Sequence, residues 1–278
     1  SLSVLDLYDA IQKAFPNKVS LSHLNNDVTI KRILNLLELP HDKNMNHGLA
    51  DDLAYKLKEG DGDLSIVIHP IGGELGGYRA LANAMPQNDA MLGIKDPIHT
   101  HPSIASLDTV ETIAKYYLNT IELHKPKRLI GWSFGALIAW ELTRLLELKG
   151  EHIELVLIDP PSPLVQKNDV IAHNQSLFMS EITQQYPELE EKVTRSTTAQ
   201  ELVSLIVPAD KSQNLDLNNE IVNLFEQVMM ACNKNEHAMS LFSPTSVLKS
   251  NTKIFIAGQH EQQHIAETVK IWSDVLMN

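Results

Sequence analysis

The sequence predicts an α/β fold with a mainly parallel sheet, and three observations predict it. Short β-rich runs, "LSIVIHP", "AMLGI", "KRLIGW", "IELVLID" and "TKIFIAG", alternate with segments of helical apolar spacing from Asp63 onward. The strand runs are continuously apolar rather than alternating, as strands covered on both faces are. A Gly-x-Ser-x-Gly pentad, "GWSFG", sits between one such run and the helix "ALIAWELTRLLEL".

Composition narrows the functional classes. A chain of 278 residues, 43% hydrophobic and 21% charged, has the mixture of a soluble globular protein. Its net charge of -12 excludes the basic face that nucleic-acid binding demands. No apolar run is long enough to span a membrane, and the N-terminus has no signal-peptide pattern. The single cysteine, Cys232, lies in the helical "MMAC" and reads as a packing residue, so no disulfide framework exists. Cytoplasmic residence is expected.

Along the chain, residues 1–39 read as two helical stretches. Leu5, Leu7, Ile11 and Phe15 share a face, and Thr29 caps "VTIKRILNLLEL". The polar stretch that follows makes residues 40–62 a linker, with a helical turn possible in "LADDLAYKL". Residues 63–278 form the α/β unit, whose helices are "YRALANAM", "LDTVETIAKYYLNTIEL" and "GALIAWELTRLLELKG". The alternation stops between about 165 and 245, a polar, helical stretch too long for a plain connection. It is expected to form a helical lid over the C-terminal edge of the sheet. A strand, "TKIFIAG", and a helix with Ile265, Val269, Trp272 and Leu276 on one face close the chain.

Context gives the pentad its meaning. A strand running into a sharp turn, with a helix starting at once, holds a serine in a strained backbone that only small neighbours tolerate. "RLI", "GWSFG" and "ALIAWEL" supply those three parts, so Ser133 is the candidate nucleophile. A hydroxyl attacks only when a base takes its proton and an acid orients that base. Asp159 ends the next strand and is the candidate acid. An oxyanion hole needs two backbone N–H groups. Phe134, after the serine, offers one, and Ile71 in "HPIGGELGGYR" offers the other, with Pro70, Gly72 and Gly73 letting that backbone come close. His69, at a strand end before proline, is read as holding this loop by a hydrogen bond rather than as a catalytic base.

These motifs, "HPIGG", "GWSFGALIAWE" and "LIDPPSP", in this order from about Leu64 to Trp272, resemble the thioesterase domains that end non-ribosomal peptide and polyketide synthases. The resemblance implies an α/β-hydrolase fold with a helical lid. It also implies Ser133 as acyl-accepting nucleophile, Asp159 as triad acid, and the Ile71 and Phe134 N–H groups as oxyanion hole. The tryptophan of "GWSFG" favours the peptide-synthetase-like branch. No metal or nucleotide is implied.

The first 39 residues are similar to part of an all-helical carrier domain, from its modification site onward. There "SL" opens the second helix and its serine bears 4'-phosphopantetheine, and a later "TI" opens the last helix. Ser1-Leu2 and Thr29-Ile30 fall in that register, which implies Ser1 as the attachment site. The implied function is chain release: an acyl or peptidyl thioester from the carrier passes to Ser133 and leaves by hydrolysis or cyclisation. The partners are carrier thioesters and upstream synthase modules. A free-standing editing thioesterase or carboxylesterase, and a non-catalytic, carrier-docked hydrolase fold without its base, are the alternatives.

The triad histidine departs from the family pattern, where it follows the last strand. In one register "KIFIAG" is that strand and His260 the base, which requires a further strand between 207 and 250, where only "TSVLK" offers itself. In the other, which is favoured, "KIFIAG" is the penultimate strand, Trp272 lies on the next helix, and the histidine falls beyond Asn278. The "HEQQH" pair, His260 and His264, is not read as a metal site.

Overall fold

The computed structural model describes Tyr8, Ile11 and residues 53–99, 107–161, 177–194, 196–206, 215–244, 247–258 and 262–277. The chain divides into two compact units, Ser1–His47 with Gln175–Met230 and Gly48–Asn174 with Ala231–Asn278. Ser1, Thr29, Ile30 and His260 lie outside the described residues, as does most of the linker reading.

The second unit is built on a six-stranded sheet. Its strands are β1 (Ala54–Lys58), β2 (Leu64–Ile68), β3 (Ala90–Ile94), β4 (Arg128–Trp132), β5 (Glu154–Ile158) and β6 (Thr252–Phe255), in spatial order β1-β3-β2-β4-β5-β6. Every pairing is parallel except β1 with β3. The parallel strands expected from the apolar runs are all present. β1 is the departure: the sheet begins inside the stretch read as a linker. Tyr55 and Leu57, two residues apart and so on one face of a strand, pack on the core cluster of Val67, Leu75, Met91 and Ile130. That burial overrides the helical turn suggested locally by "LADDLAYKL".

Helices cover both faces. Gly131 faces α3 (Phe134–Leu148), because a Cβ there would meet the Gly135 carbonyl oxygen at 2.2 Å. Its neighbour Ile130 packs with Ala82 of α1 (Arg79–Ala84). Successive strand residues point to opposite faces, so α1 and α3 lie on opposite sides of the sheet. α2 (Val110–His124) starts in a capping box between Thr109 and Thr112 and packs beside α3. α3 is buried around most of its circumference, and its one buried carboxylate, Glu141, is gripped by Arg144 at 2.6 and 2.7 Å.

Chain order explains where a site can form. From β2 the chain moves to β3 on one side, then returns so that β4 lands on the other side of β2. The loops leaving β2 and β4 therefore diverge and open a crevice at their C-terminal ends, where open α/β sheets bind ligands.

In the stretch read as a lid, the described elements are helices: α4 (Leu177–Gln185), α5 (Ala199–Ile206) and α6 (Leu215–Leu241), with a short 3₁₀ turn at Pro187–Leu189. Thr198 and Glu201 form a capping box at the start of α5. Phe178 and Phe225 meet edge to face in this first unit. The unit boundary falls within α6. α7 (Gln262–Met277) ends the chain. No described helix is long and apolar enough to cross a membrane.

Candidate active site

Ser133 stands between β4 and α3 with φ 53° and ψ −128°, a conformation rarely open to a residue with a side chain. Two bonds hold it there: its N–H donates to Ile158 O at 2.9 Å and its carbonyl accepts from Ala136 N–H at 2.9 Å. The glycines of the pentad are there for space. A Cβ at Gly135 would stand 2.5 Å from Ile68 O and 2.6 Å from His69 O, both backbone atoms. Their absence of side chains lets α3 start directly against the ends of β2 and β4. Gly135→Ala is expected to destabilise the fold by about 3 kcal/mol, read by thermal unfolding, because backbone must shift.

Asp159 follows β5 as Ser133 follows β4, and the register Trp132↔Ile158 sets the two side by side at neighbouring strand ends. Asp159 also has positive φ, 48°. Its N–H donates to Phe255 O at 2.7 Å, and its Oδ1 accepts from Ala257 N–H at 3.0 Å. Its carboxylate is thus oriented by the backbone leaving β6. Beyond it, Trp272 of α7, fully buried, donates its indole N–H to Pro161 O at 3.2 Å.

β6 pairs directly with β5, and none of the described residues between 207 and 250 forms a strand. The strand that the His260 register needs is therefore not among the described residues, and residues 247–249 of "TSVLK" are irregular.

On the other side of Ser133, β2 ends in the "HPIGG" loop. Gly73 N–H donates to Pro70 O at 3.0 Å, closing a turn with Ile71 and Gly72 at its centre, and Gly73 takes φ 81°. Phe134 is the first residue of α3, where N–H groups have no partner within the helix. The helix N-terminus is also its positive end, suited to a developing oxyanion.

His69 is fully buried with both ring nitrogens engaged. Nδ1 lies 2.8 Å from Pro70 O, and since a carbonyl only accepts, Nδ1 carries the hydrogen. Nε2 lies 2.8 Å from the Tyr117 hydroxyl. This agrees with the loop-holding reading of His69. Burial pushes the Tyr117 hydroxyl well above its usual pKa, and the charge of Asp96 adds to this, so the phenol stays neutral.

Three residues of this neighbourhood escape sequence reasoning. The Tyr78 hydroxyl donates to Ile68 O and accepts from Trp132 N–H, both at 2.7 Å, bridging β2 and β4 just before the site. Asp96 and Asn235 are buried beneath the "HPIGG" loop and bonded to each other at 2.8 Å.

A family model for the thioesterase domain matches residues 66–275. The N-(5-amino-5-carboxypentanoyl)-L-cysteinyl-D-valine synthase of Amycolatopsis lactamdurans is 33% identical over 111 residues, 38% of this chain and 3% of that protein. The chain thus spans only a small fraction of the curated relatives it matches. Among solved structures, the four-domain nonribosomal peptide synthetase holo-AB3403 aligns over 99% of this chain and 21% of its own, with TM-score 0.58 and 19% identity. The Vlm2 thioesterase domain aligns over 81% of this chain and 85% of its own, with TM-score 0.55 and 18% identity. At such identities these structures speak for the fold.

Proposed function

Since this chain belongs to the thioesterase domain family, we propose that it releases acyl or peptidyl chains from carrier-bound thioesters by way of Ser133. The observation that carries this reading is the strained turn that presents Ser133 between Asp159 on one neighbouring strand and the Ile71 turn on the other. In the proposed reaction a histidine held by Asp159 takes the Ser133 proton, and Oγ forms a bond to the thioester carbonyl carbon. The negative charge that develops on the carbonyl oxygen is met by the N–H groups of Ile71 and Phe134. The C–S bond breaks, the thiol leaves with the proton, and an acyl-enzyme remains. Water, or a hydroxyl or amine of the chain itself, then gives its proton to the histidine and attacks the ester carbonyl; the C–Oγ bond breaks, Ser133 Oγ takes that proton back, and an acid or a ring leaves.

Helices of the 165–245 segment serve in this reading as the lid. The first 39 residues act as the carrier portion, with 4'-phosphopantetheine on Ser1 and upstream synthase modules delivering the chain. A tethered donor makes acyl transfer effectively intramolecular.

The test is acylation by an acyl-pantetheine thioester analogue and labelling by a fluorophosphonate, each followed by peptide mass analysis. The mass gain is expected on the peptide carrying Ser133. An adduct elsewhere would sink the assignment, and no adduct at all would favour a hydrolase fold without its base. Intact mass after phosphopantetheinyl transferase treatment tests Ser1 separately.

A further inference from the structure

Beneath the "HPIGG" loop lies a set of polar side chains that the proposed reaction does not use. Asp96 and Asn235 are 1% and 0% exposed. Asp96 Oδ1 accepts from Lys234 Nζ at 2.7 Å and from Ile98 N–H at 3.0 Å; Oδ2 accepts from Asn235 Nδ2 at 2.8 Å and lies 3.9 Å from His69 Nε2. Burial opposes the Asp96 charge, but His69 and Lys234 outweigh it, so the carboxyl is held below the usual range and stays ionised. The same Asn235 amide donates to Ile71 O at 2.9 Å, while its own Oδ1 has no partner among the described residues. The amide's two N–H groups thus point at Ile71 and Asp96.

Peptide planarity turns these bonds into a direction. A carbonyl and the following N–H share one rigid plane, so fixing one aims the other. His69 Nδ1 and Gly73 N–H hold Pro70 O, which fixes the plane carrying the Ile71 N–H. Asn235 holds Ile71 O and so fixes the plane on the other side of the same residue. Asp96 N–H further holds Gly73 O at 3.1 Å.

We propose that His69, held at Nε2 by the Tyr117 hydroxyl, and Asn235, held by Asp96, are positioning residues that aim the Ile71 N–H at the oxyanion from both flanking peptide planes. This rests on the reading of Ile71 as oxyanion donor. Asn235 enters from the last turns of α6, 164 residues after Ile71, so the end of the segment read as the lid also sets the oxyanion hole.

The test is steady-state turnover of an acyl-pantetheine thioester by three variants, with rates counted per folded chain from melting curves. Asn235→Leu keeps volume and removes the donor. His69→Leu removes the ring, and His69→Asn restores an N–H near the Nδ1 position. Removing a whole oxyanion donor costs about 10²–10³ in kcat, so misaiming one is expected to cost roughly 10- to 100-fold. KM should stay within about twofold, because the loss is confined to the transition state. His69→Asn should recover most of the His69→Leu loss. Unchanged kcat in Asn235→Leu, losses that only track the folded fraction, or a rise in KM that accounts for the effect would overturn the proposal. A wild-type protein without Ser133-dependent turnover would instead remove the functional reading on which it rests.

Discussion

Ser133→Ala is expected to lower kcat for thioester cleavage by roughly 10⁶-fold while leaving the fold intact, as loss of the nucleophile does in a serine triad. The kinetic loss follows from position. Oγ at residue 133 is presented by a backbone with φ 53° at the mouth of the crevice between the β2 and β4 loops. Alanine keeps the same Cβ, so the backbone strain and the bonds to Ile158 and Ala136 are unchanged. Ser133→Gly should lose the same activity yet raise stability by about 1–2 kcal/mol, because glycine adopts positive φ without cost. Single-turnover acylation and thermal unfolding on the two variants read both effects. A Ser133→Ala protein that still accumulated an acyl-enzyme would place the nucleophile elsewhere. A Ser133→Gly protein less stable than wild type would contradict the strain.

Asp159→Asn carries the second large effect, a fall in kcat of roughly 10⁴-fold, with little change in stability. The amide keeps an oxygen that can accept from Ala257 N–H, and the backbone bond to Phe255 O does not involve the side chain. Asparagine also tolerates the positive φ found here, 48°. What changes is chemical: an amide cannot stabilise a protonated imidazole, and its NH₂ favours the wrong tautomer of the base. The loss should lie in kcat with KM nearly constant, measured on the same thioester. Activity within tenfold of wild type would move the orienting acid to another carboxylate.

Much of this site is legible in the chain because its parts are local. A strand, a turn and a helix occupy consecutive residues around Ser133, and apolar periodicity with two glycines suffices to read them. Asp159 is readable for the same reason, as the polar residue ending the next apolar run. Residues 54–58 are misread because "AYKLK" is short, and its partner β3 begins 36 positions after it starts, at Ala90. Whether such a segment becomes strand or linker depends on the cluster waiting for Tyr55 and Leu57, which its own residues do not describe.

The sequence by itself determined the class of fold, the strand–turn–helix that presents Ser133 and the strand end that carries its candidate acid, since each is written in neighbouring residues. Only the tertiary structure decided that β4 lands on the far side of β2 and opens the crevice beside Ser133. It alone brought Asn235 to Asp96 across 139 residues and to Ile71 across 164. Local pattern encodes propensity and burial, whereas bonds between distant residues exist only after the chain has closed on itself.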